Sequence, residues 1–387
     1  MPSSPATLIT LTQAQPLIDR MVGDRLHAKQ VESVTNAVVG IVQAVSLSIH
    51  AIGAGLAAVG GGRPKHAIKQ VDRLLSNTAL NVWALFAHWV PYVVASTPEI
   101  VVALDWTDFD ADGHATIALY LVTAHGRALP LVWRTVPKAK LKGRRAQYET
   151  DVLVRLHEVL PPGVHVTVLA DRGFGDQALY AQLREFGFAF VVRFRGDVTV
   201  ESAQGDRRLA RAWVPPNGQV RCLRQARVTH DRSVVDAVVC VKARGMDAPW
   251  CLAVGGTSLT GAQAVRLYGR RFTIEETFRD VKDPRYGLGM SATHIGDPRR
   301  RDRLLLLCAM AMTLLTVLGA AGESLGMDRM LKANTVKRRT HSLFRQGCQY
   351  YALLAMMPPE RANPLLQRFG EYVLREQVYV QAFGLTA

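Results

Sequence analysis

Cysteine is scarce in this chain of 387 residues, and so is acid. The five cysteines (Cys222, Cys240, Cys251, Cys308 and Cys348) are odd in number and none forms a C-x2-C pair. That argues against a structural zinc site and against a secreted disulfide framework. The glycine clusters, Gly60-Gly61-Gly62 and Gly255-Gly256, lack a P-loop lysine and a Rossmann spacing, so no nucleotide cofactor is expected. No Ser-His-Asp or Cys-His arrangement shows a sequence signature, and the chain has no internal repeat or low-complexity segment. The opening stretch, MPSSPATLITLTQAQP, has no basic segment followed by a long apolar one, so no signal peptide is expected. Acid is outnumbered, with 32 Asp and Glu against 47 Lys and Arg for a net charge of +15. Such an excess suits a polyanionic partner, nucleic acid first and an anionic membrane second.

What is present describes a globular chain, 49% hydrophobic and 20% charged, long enough for one large or two to three ordinary domains. One apolar run, Leu304 to Ala321, has the length of a membrane span. It contains Cys308, Gly319 and two threonines and follows Arg299, Arg300, Arg301 and Arg303. It reads as a buried core helix, and no membrane partner is expected.

Residues 1–98 read as helical. Val31 to Val59 is apolar and closes on the Gly60 cluster. Pro64 then opens a second helix at a first-turn position, where its missing N–H costs nothing. Ile68, Val71, Leu74 and Leu75 form one face of it, and Lys65, Lys69 and Arg73 project from the other. That basic face reads either as a solvated surface or as a DNA-binding one.

The period then changes. Ile100 to Leu104 is a β-branched run ending in Asp105, as a buried central strand would read. Asp108 to His114 reads as a turn, and Thr116–Thr123 with Leu129–Val136 as a hairpin about Gly126. A helix is expected from Ala146 to Leu160, a strand from Val164 to Ala170 that delivers Asp171, a helix from Gln177 to Phe186, and a strand from Phe188 to Phe194. Three strands, helix, strand, helix, strand is the order of an RNase-H-like (retroviral-integrase-like) mixed sheet, in which the first and fourth strands are parallel neighbours. Asp105 and Asp171 would then project at one sheet edge, where two carboxylates repel unless a cation lies between them. Magnesium suits such oxygen ligands. Short strands follow from 197 to 258, at Val198–Val200, Gln219–Val228, Val234–Val241 and Trp250–Val254.

Val265 to Asp283 reads as a helix of about five turns stopped by Pro284. At roughly 100° per residue, Tyr268, Arg271, Glu275 and Lys282 fall on one face, and Arg279 lies on the same stripe. Taken alone, this is also the pattern of a solvated salt-bridge face.

The spacing Tyr-x2-Arg-x3-Glu-x6-Lys resembles the signature of DDE-type bacterial insertion-sequence transposases, in the branch named for those letters. Asp105-Trp106-Thr107 and Asp171-Arg172-x3-Asp176 resemble that family's two aspartate motifs. The resemblance implies that Asp105, Asp171 and Glu275 are catalytic and hold Mg2+, for which Mn2+ can substitute, with two ions in the site. It implies that Tyr268, Arg271 and Lys282 handle DNA phosphates. Trp250 matches a tryptophan that fills the space of a flipped base in a relative, or else packs a β core. Lys65, Lys69 and Arg73 would be DNA contacts of the N-terminal domain.

The implied organisation is a helical DNA-binding domain (1–98), an RNase-H-like catalytic core in two parts (99–196 and 259–325), a β-rich insertion (197–258) and a helical C-terminal region (326–387). The implied partners are double-stranded DNA, as terminal repeats and target, and a second copy in a homodimer. A cytoplasmic, nucleoid-associated bacterial protein is expected. A transposase-derived repressor without catalysis and a metal-dependent nuclease without strand transfer fit the same residues.

Overall fold

The computed structural model describes residues 9–95 and 97–375. The remaining residues of the expected N- and C-terminal regions lie outside the described ones.

Five helices open the chain: α1 (Leu11–Val22), α2 (Ala28–Ala44), α3 (Ile49–Gly60), α4 (Pro64–Ser76) and α5 (Val82–Val94). A capping box between Thr10 and Gln13 starts α1. The apolar stretch from 31 to 59 is not one helix. It breaks at residues 45–48, where Val45 takes the left-handed conformation, and α3 leaves α2 at 98°. Glycines let the two helices touch, since a Cβ on Gly55 would come within 2.7 Å of the Gly40 carbonyl. Pro64 does occupy the first turn of α4, which buries Val71, Leu74 and Leu75 and exposes Lys65, Lys69 and Arg73.

The next stretch builds the sheet from β1 (Glu99–Phe109), β2 (His114–Val122), β3 (Ala128–Pro137), α6 (Arg145–Val159), β4 (His165–Ala170), α7 (Gln177–Glu185) and β5 (Ala189–Phe194). The spatial order is β3-β2-β1-β4-β5, with β1 and β4 parallel neighbours in the register Leu104↔Ala170. Every residue of β2 is buried, because it lies between two strands and beneath helices on the sheet faces. β1 runs four residues beyond the expected end at Asp105. The hairpin partner β2 keeps pairing it as far as Phe109↔His114 after β4 has ended. The turn shrinks to residues 110–113, with Gly113 at a φ of 62°.

The strands from 197 to 258 extend this same sheet. They are β6 (Thr199–Glu201), β7 (Arg207–Leu209), β8 (Arg221–Val228), β9 (Ser233–Val241) and β10 (Trp250–Gly255). β10 joins β5 antiparallel, with Cys251 opposite Phe194, and the order continues β10-β9-β8-β6-β7. β7 had no alternating signal to betray it, since its two arginines are both exposed.

The chain closes with α8 (Gly261–Gly269), α9 (Thr273–Lys282), α10 (Pro298–Ser324), α11 (Leu343–Leu353) and α12 (Pro359–Val373). The apolar window of α10 is long enough to cross a membrane, yet 94% of it is buried inside the protein. Backbone contact with α11 explains how: a Cβ on Gly319 or Gly347 would collide with the carbonyl of Leu343 or Leu315. The architecture is mixed α/β, a ten-stranded mixed sheet with helical regions at both ends.

Candidate active site

The helical segment carrying Glu275 starts four residues before the expected Val265. Thr260 accepts from the Gln263 N–H, and the Gln263 side chain accepts from Thr260 in return. It is not a uniform helix. Residues Arg270–Phe272 tighten into a 3-10 turn between α8 and α9, and the run ends at Asp283, ahead of Pro284. The expected stripe is therefore split by depth. Tyr268 is fully buried and Arg271 is 5% exposed, whereas the Glu275 side chain is 48% exposed. Arg279 is apart from them, paired with Glu276 on the surface.

Arg271 joins the signature segment to the sheet. One terminal nitrogen donates to Asp105 Oδ2 at 3.0 Å and the other to Glu275 Oε1 at 2.5 Å. The two carboxylates are thus no farther apart than one guanidinium fork can span. The other oxygen of Asp105 accepts from the Trp106 N–H at 2.9 Å. Asp171 follows Ala170, the register partner of Leu104, so the two aspartates leave neighbouring parallel strands at equivalent positions. Asp171 Oδ1 accepts from the Gly173 N–H at 2.7 Å.

The electrostatics agree with that crowding. The Asp105 carboxyl is raised to about 6, by burial first and by the nearby charges of Asp171 and Glu275, with Arg271 pulling the other way. The neighbouring acids have other duties. Asp176 caps α7 by accepting from the Leu179 N–H, and Asp108 and Asp110 pair with Lys138 at the hairpin end.

Lys282 is tied to β1 beyond the aspartate. Its ammonium donates to the Asp108 carbonyl at 2.7 Å and to Thr107 Oγ1 at 3.3 Å. Strand alternation puts Thr107 on the same face as Asp105, so Arg271 and Lys282 brace α8–α9 against one face of β1. Tyr268 packs edge-on against Trp250 at 4.9 Å, with the Arg271 guanidinium 5.9 Å from its ring. Trp250 is half-buried at the start of β10 and stacks with Phe272 at 5.9 Å. Phe272, which sequence reasoning passed over, is 40% exposed beside Arg271. Its only signal was its place next to the signature arginine.

Lys69 and Arg73 lie elsewhere, lining a cleft of about 720 Å3 between α2 and α4 with Gln30, Ser33, His66 and Gln70. Lys65 sits one turn earlier on α4 and outside that lining.

Residues 96–314, more than half of the chain, match the family described as Transposase DDE domain. The chain belongs to that DDE transposase family. No curated protein matches its sequence significantly. Among the described residues of this transposase, no three His, Cys, Asp or Glu side chains stand close enough together to hold a metal ion. Arg271 lies between two of the acids that the family resemblance singles out.

Proposed function

We propose that this transposase cleaves DNA at the ends of an insertion sequence by metal-dependent hydrolysis and transfers the freed 3′-OH to target DNA. Asp105, Asp171 and Glu275 would act as its catalytic carboxylates in an RNase-H-like core. The observation that carries this reading is the Arg271 bridge between Asp105 and Glu275, at the edge where Asp105 and Asp171 leave adjacent parallel strands. The strand order β3-β2-β1-β4-β5 supports the RNase-H-like reading.

By donor chemistry the three carboxylates suit divalent magnesium or manganese once they close around an ion. As they stand, Arg271 spans two of them and no three acids converge among the described residues. The donor set is all oxygen, as these hard cations prefer, and the charges of Asp171 and Glu275 add to burial, the larger cause, in raising the Asp105 carboxyl. The guanidinium stands where positive charge is needed. Two bound ions would activate the attacking oxygen and offset charge on the leaving one. Asp105 and Asp171 are held by backbone N–H groups, at 2.9 and 2.7 Å, so each keeps one oxygen oriented. Arg271 would release the acids and turn its fork to a DNA phosphate, for which its planar geometry suits it. Lys282 supplies a point charge at the end of β1, and Trp250 with Phe272, backed by the buried Tyr268, would form an aromatic wall beside the scissile strand. Lys65, Lys69 and Arg73 would hold the terminal repeat through its phosphates, two copies of the chain pairing two ends. A hairpin on the transposon end belongs to this reading.

Asp171→Asn tests the division of roles. It should abolish Mg2+-dependent nicking of an end-bearing duplex and leave binding to that duplex within about twofold in a gel-shift titration. Binding lost together with activity, in a protein that still melts cooperatively, counts against it.

A further inference from the structure

β1 keeps its β4 neighbour only as far as Leu104, one residue before Asp105. From there to Phe109 it is paired on the β2 side alone, so the ladder no longer restrains the aspartate from the β4 side. A second restraint sits at the next residue. Trp106 points to the face opposite Asp105, and its indole N–H donates to Glu149 Oε1 of α6 at 2.7 Å. Arg145, one turn earlier on α6, lies 4.9 Å over the same ring, a spacing at which a guanidinium attracts an aromatic face. The indole is gripped at its edge and its face by one helix. The main-chain N–H of the same residue donates to Asp105 Oδ1 at 2.9 Å. Glu149 is half-buried and close enough to Asp171 and Asp176 to feel both charges, though burial is the larger cause of its raised pKa.

We propose that Glu149 is a positioning residue, which acts through Trp106 to fix the carboxylate of Asp105 for a divalent cation. The proposal rests on the reading of Asp105 as a metal-holding acid. Groups that orient a ligand from behind change metal affinity by about 10- to 100-fold when removed.

The test counts Mn2+ binding to the full-length protein without DNA, by the electron paramagnetic resonance signal of the free ion. Glu149→Ala and Trp106→Phe should each weaken binding by about tenfold or more. Glu149→Gln retains an oxygen that accepts from the indole, and should bind within about threefold of wild type. Trp106→Phe keeps an aromatic face for Arg145 while removing the donor with its five-membered ring, so it decides the matter if Glu149→Ala unfolds. Wild-type Mn2+ affinity in Glu149→Ala, or in Trp106→Phe, overturns the proposal. So does a Glu149→Gln loss as large as that of Glu149→Ala, because charge and not orientation would then be at work. Asp105→Asn is the control. If it too binds Mn2+ normally, the metal-site reading itself has failed and the positioning role falls with it.

Discussion

Arg271 and Asp105, 166 positions apart in the chain, meet through a 3.0 Å hydrogen-bonded ion pair in which the arginine is almost wholly buried. The same guanidinium holds Glu275. Removing it leaves two acids facing each other with no cation between them. Arg271→Ala should therefore destabilise the metal-free protein by on the order of 2 kcal/mol. Saturating Mg2+ should close most of that gap. Thermal unfolding with and without the ion measures it, and a gap untouched by Mg2+ would mean that arginine and ion do not serve the same acids.

The α4 face makes a separate claim. Lys69→Ala and Arg73→Ala should each weaken binding to the terminal repeat and lower the slope of log K against log salt by about one unit. Titrations at several salt concentrations give the slope, and an unchanged value places the DNA-binding face elsewhere.

Thr277 ties the Glu275 segment to the sheet from within the core. Its hydroxyl accepts from the Ala128 N–H at 2.8 Å and is fully buried. Valine keeps the shape and orphans that donor, so Thr277→Val should cost about 1–3 kcal/mol in chemical denaturation. A variant as stable as wild type would show that the contact is dispensable.

Asp302 should make stability depend on pH. Burial raises its carboxyl from 3.8 to about 7, against the hydrogen bonds from Thr135. The folded state therefore binds this proton more tightly than the unfolded chain does. The resulting penalty is absent below about pH 4, grows as the pH rises, and is complete above about pH 7. Asn can still accept from the Thr135 N–H, which reaches Asp302 at 2.9 Å. Asp302→Asn should thus be more stable than wild type by on the order of 2 kcal/mol at pH 8, with no difference at pH 4. Melting curves at the two pH values check the sign.

The sequence by itself determined most of the order of the elements, because period, caps and breakers act within a few residues. Two matched apolar runs ending in Asp105 and Asp171 announced parallel neighbouring strands, and the register bears that out. Pro64 marked the start of α4, and the apolar run before Ala321 is a buried helix as its composition suggested. The spacing around Glu275 identified the family, which the match over residues 96–314 shows. Only the tertiary structure decided the rest. β1 continues past Asp105 because β2 still pairs it there, and the helix expected across 31–59 turns at Val45 because glycines let α2 and α3 touch. The five strands from 197 to 258 join the central sheet because β10 finds the free edge of β5. Arg271 faces acids instead of solvent because the chain tightens at Arg270–Phe272 and seats it against β1. Each of these depends on a partner far away in the chain, and a local pattern of side chains carries no record of which distant backbone or carboxylate will complete its hydrogen bonds.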